Sequence, residues 1–285
     1  MATEKTTEQV ETLKPLSKER LKVFTIKRRE QGKTVGFNIM SLIVVLILWT
    51  LLSEWQHSIY FPAPKAIWKA FIGLVTKGDL EGINLGMHVW KSLLRIFAGF
   101  GAACLIGIPL GILMGLYPKL YNWTRSVSEP VRFIPPIAWI PVAIVLLVGF
   151  TRYVFLIWLG AFFPIFITTL RSVARVNPVH INVVTVFGAS RFYKIRKIIV
   201  PSVLPDIVTG MRVGLGIAWM CIVAAEMIGG EMVGLGRLIL KYAELQRMGE
   251  IIVGMLTIGT IGFIMNEVFI IIEKKLFKWR QEISL

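Results

Sequence analysis

No pair of side chains in this sequence stands at the spacing that a catalyst or a metal needs. His57, His88 and His180 are scattered with no metal-ligand spacing, and they read as interfacial or surface residues. Cys104 and Cys221 each lie inside an apolar run, which argues against a disulfide framework and against a zinc site. Gly32-Lys33-Thr34 imitates the end of a phosphate-binding loop, but Lys27 stands where that loop needs a glycine and no strand precedes it. No His-Glu-x-x-His, paired-carboxylate or nucleophile-elbow arrangement is present. The expectation is a chain with no catalytic residues, no metal and no cofactor of its own.

What remains is recognition. The stretch from Gly188 to Pro201 is a basic, amphipathic island between apolar runs, carrying Arg191, Lys194, Arg196 and Lys197. Gly188 permits a sharp turn between two short helices. Pro201 is expected to limit the second of them, and Leu204-Pro205 to set the entry to the next apolar run. A basic segment can anchor to anionic lipid or dock on a protein; the turn chemistry favours protein, because lipid attraction needs none. Glu226 lies near the end of another apolar run, where an acid is costly and normally faces protein or a cavity. It is a candidate for a solute pathway, with pairing inside the fold or snorkelling to headgroups as the alternatives; Asn266 and Glu267 raise the same question with less weight. The segment Pro130 to Pro141 places Pro135, Pro136 and Pro141 around Trp139 and cannot keep a regular hydrogen-bond ladder. Broken backbone at membrane depth belongs inside protein or beside a water-filled cavity, so these four residues are pathway or gate candidates; a plain lead-in to a span is the alternative.

These residues must be held by the apolar runs around them. A composition of 55% hydrophobic over 285 residues exceeds what a soluble domain needs. Runs close to the ~20 residues that cross a bilayer occur at Val35–Leu52, Leu94–Tyr117, Ile134–Phe150, Tyr153–Leu170, Ile207–Ile228 and Ile251–Ile272. The fold expected is an all-α integral membrane protein with six transmembrane helices, the third and fourth joined by a tight turn at Thr151-Arg152. Six spans put both termini on one side. The lysines and arginines of the first 33 residues, Lys119, Arg125, Arg132, Arg171, Arg175, the island and Lys274, Lys275, Lys278 and Arg280 share it, which makes that side cytoplasmic. The net charge of +15 thus reflects orientation in a bilayer rather than affinity for nucleic acid. On the second span, Gly99, Ala103, Gly107, Gly111 and Gly115 recur every fourth position and form a face without bulk, suited to close helix packing. Outside the membrane, Phe61-Pro62-Ala63-Pro64 forces an extended entry. A short amphipathic helix over Ala66–Val75 follows, with Ile67, Trp68, Phe71, Ile72 and Val75 towards the lipid boundary. The organisation expected is a cytoplasmic tail (1–33), a first span with its external segment (34–93), a transmembrane core (94–273) and a second cytoplasmic tail (274–285).

The island resembles the cytoplasmic coupling loop of the transmembrane permease subunits of ABC importers, most of all those of the nitrate, sulfonate, taurine and bicarbonate type. That loop ends in Gly, nine residues, Ile-x-Leu-Pro, and this chain has Gly188, Ile198, Val200 and Pro201. Its opening Glu-Ala-Ala falls on Asn182-Val183-Val184, a departure from the pattern. Further matches are Phe61-Pro62-Ala63-Pro64 with Trp68, Gly107-Ile108-Pro109-Leu110-Gly111, the Pro135–Pro141 segment, and Gly234-Leu235-Gly236 after Glu226. Together they run from the first span to the last. The resemblance implies a type I ABC importer permease fold with a coupling loop between spans four and five. Gly188, Ala189, Ser190, Arg191, Lys194, Arg196, Ile198 and Pro201 would then meet an ATPase. It implies a homodimer of permeases in a prokaryotic plasma membrane, with two cytoplasmic ABC ATPase subunits and an extracytoplasmic solute-binding protein delivering a small anion or related organic solute. The competing reading is a stand-alone secondary carrier or channel driven by an ion gradient. One candidate membrane acid and the lack of a visible internal repeat speak against it.

Overall fold

The computed structural model describes residues 36–56 and 60–277. The tail up to residue 33, His57, Lys278 and Arg280 lie outside the described residues. Two compact units, Met1–Ala66 and Ile67–Leu285, make up the chain. In the first, helix α1 (Gly36–Gln56) is long and apolar enough to cross a membrane. The Ser53 hydroxyl donates to the Phe61 carbonyl at 2.7 Å and the Trp49 and Phe61 rings lie 6.1 Å apart, so the proline-bearing segment folds back along the end of α1.

Helix α2 (Pro64–Thr76) opens on a proline, whose missing amide costs nothing in the first turn. Trp68, Phe71, Ile72 and Val75 are exposed, whereas Ile67 and Leu74 are buried. Ile67 therefore departs from the lipid-facing set expected: seven residues make two turns, so it shares the inward side with Leu74.

The second unit is built on α3 (Leu85–Leu116), α6 (Phe150–Ala174) and α9 (Val200–Ile228). Helix α3 packs along α6 with both chains running the same way. A β-carbon added at Gly99 would lie 2.5 Å from Ile157 Cβ, at Gly111 2.7 Å from Thr169 Cβ, and at Gly115 2.6 Å from Val173 Cβ. Gly107 is looser, at 3.4 Å from Ile165, and Ala103 is completely buried. Backbones approach this closely only where side chains are absent. On its other side α6 meets α9 running the opposite way, Gly160 against Cys221 and Gly210 against Thr168. Helix α11 (Met248–Leu276) completes the long helices; Trp219 of α9 donates to its Ile258 carbonyl at 3.2 Å.

The third span expected at Ile134–Phe150 is not one helix. Helix α4 (Pro118–Arg132) covers the segment read as a loop with Lys119, Arg125 and Arg132. After a break come a 3-10 turn (Pro136–Trp139) and the short α5 (Ile140–Leu146). The two halves meet at 86°. Pro135 and Pro136 supply no amides at the junction, which is why the ladder cannot continue through it. Among the described residues, by length and composition, the second unit holds four long spanning helices, and the bent pair makes six with α1 if it counts as a single span. The link to α6 is Leu147–Gly149 rather than Thr151-Arg152: Gly149 has φ +56, and Arg152 already lies in α6, closing the turn by donating to the Leu147 and Gly229 carbonyls.

Candidate functional site

Three groups of residues stand apart from ordinary packing, one at each end of the bundle and one at its middle. The first is the island. Helix α7 (Pro178–Val186) is followed by a turn in which Gly188 has φ +76, a left-handed conformation that side chains resist, with open space where a β-carbon would go. Ala189 completes the turn through its amide, which donates to Val184 at 3.0 Å. Ser190 then caps α8 (Arg191–Lys194), its hydroxyl accepting from the Tyr193 amide at 3.2 Å. Contrary to expectation, Pro201 does not end this helix and Leu204-Pro205 does not set an entry. One π turn (Ile195–Ile199) follows α8 and runs directly into α9, so Arg191–Ile228 is continuous. In a π turn amides bond five residues back, as Val200 does to Ile195, and this wider ladder absorbs the amide that Pro201 lacks.

The inner face of the elbow is tied into the bundle. Ile199, Val203 and Ile207 form an apolar cluster with Val173 of α6, and Ile181 of α7, Ile195 and Ile112 of α3 pack against it. The outer face is bare. Phe187 is 85% exposed and Val186 and Phe192 are exposed beside Arg191, Arg196 and Lys197, with Arg196 over the Phe192 ring at 6.0 Å. Lys194 and Ile198 are half-buried and Pro201 is exposed.

The second group lies at the opposite end, where α3 begins and α9 finishes. Glu226 is buried, and its carboxylate is fully engaged: Arg95 donates at 2.7 Å, Ser92 at 2.8 Å and the Gly236 amide at 3.0 Å. Arg95 also donates to the Val233 carbonyl at 2.7 Å and lies 4.4 Å from the centre of the Tyr153 ring. Helix α10 (Leu235–Glu244) has no side-chain cap of its own. Glu226 and Ser92 serve instead, taking the amides of Gly236 and Leu235. That requires very close approach: a β-carbon at Gly234 would sit 2.5 Å from Glu226 Cδ, and one at Gly236 2.2 Å from the Val223 carbonyl oxygen.

His88 is 1% exposed, not the interfacial residue expected. Its Nδ1 lies 3.1 Å from both the amide nitrogen and the carbonyl oxygen of Gly234, and its Nε2 lies 3.5 Å from Asp79 Oδ2. Asp79 in the loop before α3 also takes the Ile83 amide and pairs with Lys241 of α10 at 3.1 Å, and Lys241 reaches Glu81 at 2.9 Å. Burial alone would raise the Asp79 carboxyl, but the Ile83 and Glu81 amides and the Lys241 ammonium hold it below its ordinary value. Burial works against the Lys241 charge too, and Glu81 and Asp79 overcome it, so its pKa is raised. His88, Ser92, Arg95, Asp79 and Lys241 were not singled out in the sequence; the signal available was three polar residues, at positions 88, 92 and 95, on one face at the start of an apolar helix.

The third group is the bend of the broken span. Pro135 and Pro141 are exposed, Pro136 and Trp139 half-buried, and Trp139 Nε1 has no hydrogen-bond partner among the described residues. Arg132, half-exposed at the last turn of α4, shares a pocket of about 310 Å³ with Phe133, Pro136, Gly160, Pro164 and Ile217. Gly160 and Pro164 belong to the middle of α6, so Arg132 sits at mid-bundle depth and not in a loop. It forms no ion pair among the described residues and stacks on Phe133 at 4.8 Å. An arginine at the centre of a membrane helix costs about 2.5–3.5 kcal/mol. A stacked ring returns about 0.5–1 kcal/mol and a helix C-terminus about 0.3–1 kcal/mol, which together do not offset that cost.

Residues 107–278 match the family of binding-protein-dependent transport system inner membrane components. The chain belongs to that family. It is 34% identical over 265 residues to a putative ABC transporter permease of Methanocaldococcus jannaschii, covering 88% of this chain and 97% of the relative. It is 30% identical to the taurine transport system permease protein TauC of Escherichia coli, over 89% of this chain and 93% of that protein. It is 32% identical to the nitrate import permease protein NrtB of Synechocystis, over 82% and 86%. Among solved structures, a chain of the MetNI methionine ABC transporter in an inward-facing conformation superposes with a TM-score of 0.57 at 21% identity, over 68% of this chain and 94% of that one. Its likeness speaks for the fold. The protein is thus an ABC importer permease, a multi-pass helical membrane component of the type whose relatives include taurine, nitrate and bicarbonate permeases.

Proposed function

We propose that two copies of this permease form the pathway of an ATP-driven importer for a small anion or related organic solute, with both chain termini in the cytoplasm. Separate ATPase subunits hydrolyse ATP, and an extracytoplasmic binding protein delivers the cargo. The observation that carries the reading is the elbow around Gly188 to Pro201: its outer face pairs exposed aromatic and basic side chains, while its inner face is locked to α3, α6 and α9. Force applied to such an elbow reaches the long helices, because Arg191–Ile228 is one uninterrupted rod. Closure of an ATPase pair would thereby shift the population between two tilts of the bundle. The taurine, nitrate and bicarbonate permeases among its relatives support a small anionic or related organic cargo.

The test is ATP-dependent uptake in proteoliposomes holding the permease, its ATPase and its binding protein, with labelled nitrate, taurine and bicarbonate as probes. Charge reversal at Lys194 and Arg196 is expected to reduce co-purification of the ATPase several-fold while membrane insertion stays normal. Uptake that continues with no ATPase present would replace this reading with a self-sufficient carrier.

A further inference from the structure

The bend of the broken span holds a pocket that packing does not explain. Its lining is apolar except for one charged group, the guanidinium of Arg132. That group lies opposite the middle of α6, has no acidic partner among the described residues, and stands at the end of α4 just before the break at Pro135 and Pro136. A volume of about 310 Å³ admits a solute of a few heavy atoms with some water, the lower end of the range for small-molecule sites. Lone cations within membrane bundles mark ion and substrate paths more often than they mark packing. Arg95, at the end of the bundle away from the elbow, is by contrast consumed by Glu226 and Glu231.

We propose that this pocket is an anion subsite of the permease itself, with Arg132 donating to the oxygen atoms of a small oxyanion, a nitrate, carboxylate or sulfonate group, as it passes the bend. Arginine suits the task because its planar fork meets two oxygens at once. The apolar walls of Phe133, Pro136 and Ile217 keep the dielectric low, which strengthens that contact. Selectivity for charge would then be exercised twice, by the delivering protein and again inside the membrane. This rests on the importer reading above.

The experiment uses the assembled transporter in proteoliposomes, with labelled nitrate, taurine and bicarbonate, and measures uptake and ATP hydrolysis together at saturating loaded binding protein. Arg132→Gln is expected to lower uptake about tenfold, the scale of one lost charge-assisted hydrogen bond, while ATP hydrolysis continues, so that ATP spent per solute rises. Arg132→Lys, which keeps the charge but loses the fork, is expected to recover part of the uptake. Equal uptake in wild type and Arg132→Gln overturns the subsite. So does loss of both variants together with loss of the assembled complex, which makes Arg132 a purely structural residue. Failure of the wild type to show any ATP-dependent uptake strikes instead at the importer reading, and the two failures are read from different samples.

Discussion

Glu226 carries a charge that would be costly alone in lipid, and three groups meet it: Ser92, the Gly236 amide and Arg95, which itself lies over the Tyr153 ring. Breaking one partner of a buried pair costs about 3–5 kcal/mol, because the survivor is left charged and unpaired. Glu226→Ala or Arg95→Ala is therefore expected to cut the yield of folded protein and lower its melting temperature in detergent. The pair Arg95→Met with Glu226→Leu is expected to lose much less than the sum of the singles, and additive losses would show that the two side chains act independently. A pathway role for Glu226 would show as lost uptake in Glu226→Gln at unchanged thermal stability.

At the level of elements, two devices decide how helices meet. The first is the unbulky face of α3. Gly111→Leu forces a side chain where Thr169 already stands at 2.7 Å from the new β-carbon, and overpacking of that kind costs about 1–3 kcal/mol. A lowered melting temperature is expected, whereas the same change at Gly101, which has nothing within 4 Å, is expected to be silent. The second is the turn at Gly188. Space is free there, so only backbone strain is at stake. Gly188→Val is expected to lose coupled uptake with ATPase binding at least partly retained, and Gly188→Asn, which tolerates the left-handed region, to keep most of it. Equal coupling in both variants would show that the turn's geometry does not matter.

Across the whole molecule, the loop before α3, the first turns of α3, the end of α9 and α10 are joined by one chain of polar contacts. It runs from Glu81 and Lys241 through Asp79 and His88 to Gly234, and from the adjoining Leu235 amide through Ser92 to Glu226 and Arg95. Asp79 and Lys241 give it a pH dependence. The Asp79 carboxyl is depressed, so its contribution is fully present above the ordinary carboxyl value of about 3.9 and is lost as pH falls through the lower folded value. Lys241 is raised, so its contribution is fully present below about 10.4 and is lost as pH rises through the higher folded value. Melting temperatures of wild type and Asp79→Asn are thus expected to differ at neutral pH and to converge in strong acid. A constant gap across that range would mean that Asp79 contributes by shape rather than charge. Elsewhere the second unit leaves broad apolar surface, including Phe263 and Ile264 on α11 and Val145 and Val148 around α5, suited to lipid or a second copy.

By itself the sequence determined the class, five of the six expected spans and the family. Apolar runs of membrane length and the Gly188 to Pro201 spacing are local patterns, and local patterns survive without knowledge of the neighbours. The same local reading misplaced whatever depends on partners far along the chain. Pro201 stops a helix in isolation but is absorbed by a π turn whose Ile195 and Ile199 are pinned against α3, α6 and α7. His88 reads as an interfacial residue and Arg95 passes unremarked until α10 folds over them and supplies Gly234, and α9 supplies Glu226. Arg132 counts as one more loop cation until the 86° bend carries it to the middle of α6. Burial and pairing are long-range properties, and only the packed bundle decides which charges are satisfied and which is left free to meet a solute.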